Sequence, residues 1–351
     1  VAEGLSWRRI HTSNQQRFAT SPVFHLTLAC NHCLEPACLH NCPANAYTKD
    51  PSTGAVLIDQ ELCIGCRYCG WICPYEAPRY NSDFGNMEKC TFCQHRLSEG
   101  RPPACVTACP TDALSFEKAT DPGSVDHAGF PDTGLRPAVR VTETRRRSPP
   151  DMTAAPIAVN VESPRFPIDW NGFKSEWSLW FFTSVATLLV AWFTASVAWN
   201  RAIPLPVFAG ASILARAVSA LHLGRITRIW RAMLNVKGSW VSREVVLFST
   251  FFATACASLL RPEAMDSASW VIAAVGFAGL YSMDMVYRVR GQPVLTVPHS
   301  AMATLTATFY IGILTANPVL LWPAAAVKLV LYLVRRDRPA PYGAVLAPIR
   351  I

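Results

Sequence analysis

Twelve of the thirteen cysteines in this 351-residue chain lie before residue 110, in three groups of four. The middle group consists of Cys63, Cys66, Cys69 and Cys73, and Pro74 follows its last cysteine. Three of these thiols fall within seven residues, so they can surround one face of a metal centre, while the fourth lies beyond a turn. Cysteines at such short spacings point to a bound metal centre.

The neighbouring groups repeat this pattern with altered spacing. The first group is Cys30, Cys33, Cys38 and Cys42, and the third is Cys90, Cys93, Cys105 and Cys109. All three groups continue as Cys-Pro-x-x-Ala, through Ala46, Ala77 and Ala113. The spacing of the middle group is the one by which bacterial ferredoxins hold a 4Fe–4S cluster. We therefore predict an α+β, ferredoxin-like iron–sulfur domain over residues 1–117.

Disulfides and structural zinc are the two other common uses of clustered cysteines. Disulfide frameworks suit short secreted domains, but this chain is long and its cysteines are too tightly spaced for mutual pairing. Structural zinc needs Cys-x2-Cys pairs separated by a loop. The third group fits that pattern and the middle group does not. We favour iron–sulfur clusters, which also indicate maturation in a reducing compartment.

The composition changes near residue 170 and divides the chain into two domains. Residues 118–170 are rich in proline and contain the basic run Arg145–Arg147, so we expect an extended linker that lies over a surface. A nucleic-acid-binding patch is the alternative. Basic residues without interleaved aromatic residues favour a docking or solvated segment, and we expect no nucleic-acid partner.

Residues 171–338 are expected to form an all-α transmembrane helical bundle, followed by a tail at 339–351. The stretch Trp177–Asn200 contains no charged residue and carries tryptophans near its ends. Further apolar stretches approach the roughly 20 residues that a membrane span needs. They are Ala202–Gly224, Glu244–Leu260, Ser267–Tyr287, Pro298–Asn317 and Val319–Val334. We predict five helices and a sixth at the last stretch.

Basic residues predict the orientation of this bundle. Five spans place the iron–sulfur domain and the loops 225–243 and 288–297 on one side of the membrane. Seven lysines and arginines lie in those loops, against Arg201 and Arg261 on the other side. Because cytoplasmic loops carry an excess of basic residues, we expect a multi-pass inner-membrane protein whose iron–sulfur domain faces the cytoplasm. Alternatively, the arginines dock a partner surface and report nothing about topology.

Three ionisable residues, His222, Glu244 and His299, lie at the ends of predicted spans on the iron–sulfur side. A quinone headgroup needs a hydrogen-bond donor and a group that exchanges protons, and histidine and glutamate supply both functions. Each residue could instead lie at the interface in contact with water. A membrane haem b held by His222 and His299 is a third interpretation, which we favour less because only these two axial candidates exist.

The first half of the chain resembles the iron–sulfur subunit of dimethyl-sulfoxide-reductase-type molybdoenzymes. The matching segments are Ala29–Cys38, Cys63–Cys69, Cys73–Pro78 and Met87–Cys93. The second half is similar to the membrane anchor subunit of the same complexes. Its matching segments are Glu176–Leu179, Leu221–Gly224 and Ser242–Val245. The resemblance would make this protein a fusion of two subunits that are usually separate.

The resemblance implies a subunit without catalytic residues of its own, which passes electrons between a molybdopterin-containing catalytic subunit and the quinone pool. It also implies that cluster ligands cross over between neighbouring groups. One cluster would be held by Cys30, Cys33, Cys38 and Cys73, and the next by Cys63, Cys66, Cys69 and Cys42. His222 and Glu244 match positions that the family associates with quinone.

The chain departs from the family pattern in two respects. A fourth cysteine motif, expected just upstream of Val1, is absent, so Cys90, Cys93 and Cys105 lack their usual fourth ligand. We still expect a third cluster there, closed by Cys109 or by a segment that precedes Val1, and a fourth cluster only with such a segment. The alternative is that the third site is degenerate. The anchor usually has eight spans, whereas five or six fit here.

Two functions remain compatible with these residues. The first is a quinone-linked subunit serving sulfite oxidation or the reduction of S- or N-oxides. The second is an electron-transfer module of a hydrogenase or formate dehydrogenase with a membrane haem b. No catalytic nucleophile, nucleotide-binding loop or acid–base pair stands out in the first half, so a free-standing enzyme is not expected.

Overall fold

The computed structural model describes residues 5–13, 24–117, 134–140, 170–260, 267–288 and 302–336. Within these residues a cysteine-rich domain of short elements precedes a helical domain of longer elements. The predicted succession of an α+β domain and an all-α region is therefore present. The contacts between the two domains decide where each candidate site lies.

The cysteine-rich domain contains antiparallel strand pairs and short helices. The strand pairs are β1 (Arg9–Ser13) with β2 (Phe24–Leu28), β3 (Tyr47–Lys49) with β4 (Val56–Ile58), and β5 (Arg79–Asn81) with β6 (Asn86–Glu88). The helices are α1 (Ala37–His40), α2 (Tyr68–Ile72), α3 (Gln94–Ser98) and α4 (Ala104–Thr107). Such short elements bury little apolar surface, which makes bound metal important for a stable fold.

The three cysteine groups follow the same backbone course. In each group the residue before the second cysteine has a positive φ. These residues are His32 (43°), Gly65 (70°) and Phe92 (61°). The third cysteine of each group, namely Cys38, Cys69 or Cys105, is the second residue of α1, α2 or α4. The repeat in cysteine spacing is thus also a repeat of backbone conformation.

The Cys-Pro-x-x-Ala ending of each group forms a turn around the cysteine sulfur. The residue before each alanine has a positive φ, at Asn45 (52°), Glu76 (48°) and Asp112 (48°). This left-handed residue reverses the backbone, so that the alanine amide donates to the cysteine Sγ. The N···S distance is 3.4 Å from Ala46 to Cys42 and 3.3 Å from Ala113 to Cys109. The repeated alanine therefore serves the last cysteine of its group.

The helical domain consists of helices longer than those of the cysteine-rich domain. They are α5 (Trp170–Trp199), α6 (Leu205–Ala220), the 3₁₀ helix Ile226–Met233, α7 (Trp240–Leu259), α8 (Ser267–Val286), α9 (Ala303–Leu314) and α10 (Pro318–Arg336). The core is aromatic, with the Phe193 and Phe208 rings 5.7 Å and 6.3 Å from the Phe251 ring. A Cβ at Gly276 of α8 would come within 2.9 Å of Phe251, so this glycine lets α7 and α8 pack closely.

The helices coincide with the six apolar stretches, although their lengths differ from the predicted spans. Two of the described helices, Trp177–Trp199 within α5 and the whole of α8, are long and apolar enough to cross a membrane. The twelve residues of α9 extend about 18 Å, short of a hydrocarbon core of about 30 Å. The structure supports a helical region with two candidate spans, and the multi-pass bundle remains a prediction.

Two boundaries differ in ways that affect the predicted polar site. Helix α7 begins at Trp240, so Glu244 lies one turn inside the helix and does not open it. Helix α6 ends at Ala220, so His222 belongs to the connection to the 3₁₀ helix. Apolar residues continue past the end of α6, whereas the first turn of α7 contains the polar residues Ser242 and Arg243, so hydropathy alone misplaced both boundaries.

The connection after α6 docks the helical domain onto the cysteine-rich domain by backbone contact. The Gly224 N–H donates to the Gly65 carbonyl at 3.4 Å, and the Arg225 N–H donates to the Ile64 carbonyl at 3.2 Å. A Cβ at Gly224 would lie 2.1 Å from the Gly85 carbonyl oxygen. Three glycines therefore meet where the two backbones touch, because a side chain at this point would separate them.

We call this contact of Gly65, Gly85 and Gly224 the glycine joint, and polar and basic side chains add further contacts beside it. The Arg225 guanidinium donates to the carbonyls of Phe84 (3.0 Å) and Gln60, and Arg228 forms an ion pair with Glu61 at 2.8 Å. Asn235 donates to the Cys42 carbonyl at 2.9 Å. Arg225 and Arg228 were both among the seven basic residues used to predict which side of the membrane the iron–sulfur domain faces. For these two arginines the structure shows an explanation other than sidedness or docking of a partner, because they contact the cysteine-rich domain of the same chain.

We expect Gly224→Ala to destabilise the joint by about 1–3 kcal/mol, because the added methyl group overlaps the Gly85 carbonyl. The measurement is thermal unfolding of the full-length protein in detergent, together with protease sensitivity of the joint. The control is Gly210→Ala in α6, where a Cβ would meet nothing within 4 Å. Equal unfolding temperatures and equal protease sensitivity in the two variants would contradict the backbone contact.

Candidate iron–sulfur centres and the adjoining polar site

Two cysteine-lined cavities lie inside the cysteine-rich domain. The outer site is lined by Cys30, Cys33, Cys38 and Cys73. The inner site is lined by Cys42, Cys63, Cys66 and Cys69, and Cys38 also reaches its wall. Each set takes three cysteines from one group and the last cysteine from the other. This grouping is the crossover that the family resemblance implies, and the ligand assignment itself stays a prediction.

The donor sets suit a multi-iron cluster better than disulfides or a single ion. All thirteen cysteines are free thiols. Among the described residues, no group of three or more Cys, His, Asp or Glu side chains converges tightly enough for one metal ion. A 4Fe–4S cluster takes four thiolate ligands, and each of the two sites brings four cysteines of the predicted sets together.

Burial makes the thiols of both sites difficult to ionise without a metal. It raises the pKa of Cys33 and of Cys66 to about 12, and the charges of neighbouring cysteines add to the effect. Burial also raises the pKa of Cys73 to about 11. Several thiolates cannot share a dry cavity unless a positively charged centre compensates them. An iron–sulfur core would supply that charge, so the electrostatics of both cavities fit the cluster.

Backbone amides point at the sulfur atoms. Besides the alanine amides, the Met87 N–H donates to Cys63 Sγ at 3.5 Å and the Phe92 N–H to Cys90 Sγ at 3.4 Å. Such hydrogen bonds stabilise added negative charge and raise the reduction potential of a bound cluster. These hydrogen bonds are of the kind that a redox centre needs, and they reach Cys42 and Cys63 of the inner site and Cys90 and Cys109 of the third group.

The third cysteine group lies at the edge of the domain. The Ala104 N–H donates to Cys93 Sγ at 3.5 Å, which brings Cys93 beside α4 and its Cys105. Cys109 is partly exposed, and hydrogen bonds from the Thr111 amide and hydroxyl lower the pKa of its thiol. The arrangement leaves the predicted third cluster as a prediction, with its fourth ligand unassigned.

Residues 134–140 cover the outer site. The Leu34 N–H donates to the Arg136 carbonyl at 2.9 Å, and the Ala138 N–H donates to the Asn31 carbonyl at 2.9 Å. Leu135 is buried and lines the cavity. This described part of the predicted linker lies directly on the cysteine-rich domain. It keeps water away from the outer site, which strengthens electrostatic interactions there.

The inner site lies against the helical domain. Leu223 and Val245 pack on the apolar cluster that contains Cys42, Cys63 and Cys69. Val241 and Val286 pack on a second apolar cluster, against which Cys66 of the inner site and Cys33 and Cys73 of the outer site also pack. The helical residues Leu223 and Val245 therefore lie against the apolar cluster that holds the buried cysteines of the inner site.

Tyr68 connects the inner site to the polar residues of the helices. Its amide donates to the Cys66 thiol, and its phenol donates to the Val286 carbonyl at 2.8 Å. The phenol also lies within electrostatic range of Glu244, one of the predicted quinone residues. Burial raises the pKa of Tyr68, so the phenol remains a neutral hydrogen-bond donor. One residue thus touches a cluster ligand and approaches the carboxylate.

His222 approaches the neighbouring residue, Arg67. Its Nδ1 donates to the Ser219 carbonyl, which fixes the tautomer because a carbonyl can only accept. The His222 ring lies within electrostatic range of the Arg67 guanidinium, which stacks 4.0 Å from the Tyr80 ring. His222 and Glu244 therefore each approach one of the two residues that follow Cys66, His222 approaching Arg67 and Glu244 approaching Tyr68. The third predicted residue, His299, lies outside the described residues, as does any haem site that depends on it.

The sequence reasoning missed a polar network in the helical domain. The Asp284 carboxylate of α8 accepts hydrogen bonds from the Ala303 and Thr304 amides at 2.6 Å and 3.1 Å, so it caps the start of α9. Lys328 of α10 donates to Thr306 at 2.8 Å, and Glu244 lies within electrostatic range of Asp284. No local signal predicts this cap, because the acidic residue belongs to a different helix from the amides.

Comparison with known proteins identifies the cysteine-rich domain. Residues 22–119 match the family described as "4Fe-4S dicluster domain". The cysteine-rich domain is a 4Fe–4S iron–sulfur domain. One of the chains of the anaerobic dimethyl sulfoxide reductase of Escherichia coli (strain K12) is 48% identical over 94 residues, which are 27% of this protein and 45% of that relative. The match therefore spans less than half of this relative's length.

Two further relatives carry different names. A subunit of the sulfite dehydrogenase of Allochromatium vinosum is 36% identical over 150 residues, or 38% of this chain and 62% of that protein. Hydrogenase-2 operon protein HybA of Escherichia coli O157:H7 is 45% identical over 93 residues, or 25% of this chain and 28% of that protein. The resemblance to iron–sulfur subunits of the dimethyl sulfoxide reductase kind is confirmed for the cysteine-rich domain.

The crossover of ligands predicts the effect of removing one cysteine. Cys42→Ser should lower the iron content by about four atoms per chain, because one 4Fe–4S cluster loses a ligand. Its electron paramagnetic resonance (EPR) spectrum should match that of Cys63→Ser and differ from that of Cys30→Ser. Cys256→Ser, in α7, serves as the control and should retain all iron. A Cys42→Ser spectrum like that of Cys30→Ser would refute the crossover.

Proposed function

We propose that this chain is the electron-transfer and membrane-anchoring subunit of a quinone-linked molybdopterin oxidoreductase. The observation that carries the proposal is the alignment of the outer site, the inner site and the residues around Glu244. Bound 4Fe–4S clusters would supply one-electron relays at the two cysteine-lined sites. The chain's own residues would hold these relays in order, exclude water and manage protons at the helical end.

Each part of the chain has a role in this proposal. The apolar lining of the inner site and the Leu135 cover of the outer site exclude water from the electron path. The glycine joint and the Arg228–Glu61 ion pair keep the inner site against the helices. Fixed distances matter because the same sites must exchange electrons repeatedly without rearranging.

The quinone would bind beside His222 and Glu244. Oxidation of one quinol releases two electrons and two protons. Because Nδ1 of His222 donates to Ser219, Nε2 of the neutral ring can accept a hydrogen bond and then a proton from a quinol hydroxyl. The Glu244 carboxylate can accept the second proton. The electrons would leave one at a time through the inner site, which Tyr68 joins to this region.

A catalytic partner subunit would supply or consume the electrons at the other end. Relatives named as parts of a dimethyl sulfoxide reductase and of a sulfite dehydrogenase support such a partner. Reduction of S- or N-oxides and oxidation of sulfite are the two reaction classes we propose for the complex. The likeness to HybA favours a second candidate, a hydrogenase-type module with a membrane haem b. A sharp haem band in the visible spectrum of the purified protein would identify the second.

We expect Glu244→Gln and His222→Ala to slow cluster reduction by a quinol analogue at least tenfold, about 1.4 kcal/mol. Dithionite should still reduce the clusters fully, because the cysteine sites are untouched. The matched controls are Glu99→Gln and His95→Ala, on the exposed surface at α3. The readout is stopped-flow absorbance of the full chain in detergent. Wild-type rates in both helical variants would place the quinone site elsewhere.

The proposed location is the inner membrane, with the cysteine-rich domain facing the cytoplasm. Two candidate spans and the basic residues of the loops support it. If Arg225 and Arg228 are left out of the count because they dock on the cysteine-rich domain, five basic residues remain in the loops on the iron–sulfur side, against two on the other side. The five are Arg231, Lys237, Arg243, Arg288 and Arg290.

Reporter fusions test this orientation. A periplasm-dependent phosphatase fused after Arg261 should be active, and the same enzyme fused after Gly291 should be silent. A cytoplasm-dependent reporter at each position should give the reverse pattern and controls for expression. Phosphatase activity at Gly291 with silence at Arg261 would invert the proposed topology.

A further inference from the structure

Lys89 is a fully buried cation in the cysteine-rich domain. It follows β6, precedes Cys90, and is only 2% exposed. Its ammonium donates to the carbonyls of Val56 and Cys90, the latter at 3.1 Å. Among the ion pairs of the described residues, none involves Lys89. A buried lysine without a carboxylate partner is rare and costly unless other negative charge lies close by.

The negative charge available to Lys89 is that of the cysteines. Lys89 lines the outer site together with its four cysteines. The Lys89 ammonium lies within electrostatic range of the Cys38 and Cys73 thiols and of the Cys90 thiol in the third group. The side chain therefore stands between the outer site and the third cysteine group.

The inner site differs in charge. Its lining residues include no lysine, arginine or carboxylate. Arg67, which follows Cys66, is partly exposed and is not among the residues that line the inner site, and its guanidinium stacks on the Tyr80 ring. Arg228 is partly exposed and paired with Glu61. Water and counter-ions screen exposed and paired charges, whereas a buried ammonium acts at low dielectric. The two sites are thus electrostatically unequal.

We propose that Lys89 makes the outer site easier to reduce than the inner site, so that an electron shared by the two rests on the outer one. The inference builds on the proposed function, in which both sites hold 4Fe–4S clusters. Reduction adds one electron and one unit of negative charge, which a nearby buried cation stabilises. No bond forms or breaks, and the electron lost by the inner site is gained by the outer site.

This inequality gives the electron step a direction. Transfer from the inner site, which touches the helices, to the outer site runs downhill. The third cysteine group would share the effect, because Lys89 also bonds the Cys90 carbonyl. Lys89 would thus act as a positioning residue that draws electrons away from the helices and holds them near the outer end of the chain.

Potentiometric titration of the full-length protein, followed by EPR, tests the proposal. Lys89→Met should change the reduced-to-oxidised ratio of the outer cluster at least tenfold towards oxidised, which is 59 mV for one electron. The inner-cluster signal should shift less, and Lys89→Arg, which keeps the charge, should stay near the wild type. Full iron content with unshifted potentials in Lys89→Met, or equal shifts at both clusters, would overturn it.

A second variant keeps the test independent of how Lys89→Met folds. Lys49 is partly exposed and donates to the Leu34 carbonyl at 2.9 Å, next to Cys33, so Lys49→Met should lower the outer-site potential slightly and identify its signal. In the wild type that signal must have the higher potential of the two, and the reverse order would overturn the proposal. The exposed Lys237→Met is the control. Absence of 4Fe–4S signals in the wild type would instead refute the proposed function.

Discussion

The structure depends on the charge balance of buried thiolates. Burial raises the pKa of Cys33 and Cys66 to about 12, so these thiols cannot share their cavities as anions without a positively charged centre. The domain around them is built from strands of three to five residues and helices of four or five, which bury too little apolar surface to fold stably alone. We therefore expect folding and cluster insertion to be one event, with the crossover of ligands tying the first cysteine group to the second.

The joint between the domains depends on the absence of side chains at three positions. Gly65, Gly85 and Gly224 let two backbones touch, and Arg225 and Arg228 secure the contact. An electron carrier gains from such rigidity, because transfer between fixed sites requires no reordering of the chain. The joint also lies between the inner site and His222, so one structural element sets both the position of the relay and that of the proposed proton acceptor. A change at the glycines would therefore affect electron transfer and stability together.

The spacing of the cysteines predicted the metal-binding domain well, because the ligands of each group lie close together in sequence. Hydropathy predicted the ends of the helices less well, because those ends depend on tertiary contacts. The cysteine repeat predicted an α+β domain, and its spacing corresponds to repeated positive-φ residues that no propensity scale would place at His32 or Phe92. The helix ends were harder to predict, since apolar residues continue past Ala220 and polar residues occupy the first turn of α7 before Glu244. The buried position of Lys89 could not be predicted, because a lysine beside a cysteine motif is ordinarily exposed.

An excess of basic residues in a loop can have two causes, the orientation of a membrane protein or the docking of one domain on another. An excess of arginine in a loop is read as a sign of the cytoplasmic side because unpaired basic residues resist translocation. Arg225 and Arg228 are paired with backbone carbonyls and with Glu61, so their presence is explained by docking wherever the domain lies. The sidedness argument then depends on the remaining basic residues. Electrostatic asymmetry inside the cysteine-rich domain is independent of that argument, because a buried cation near one site and not the other biases the electron whichever side of the membrane holds the clusters.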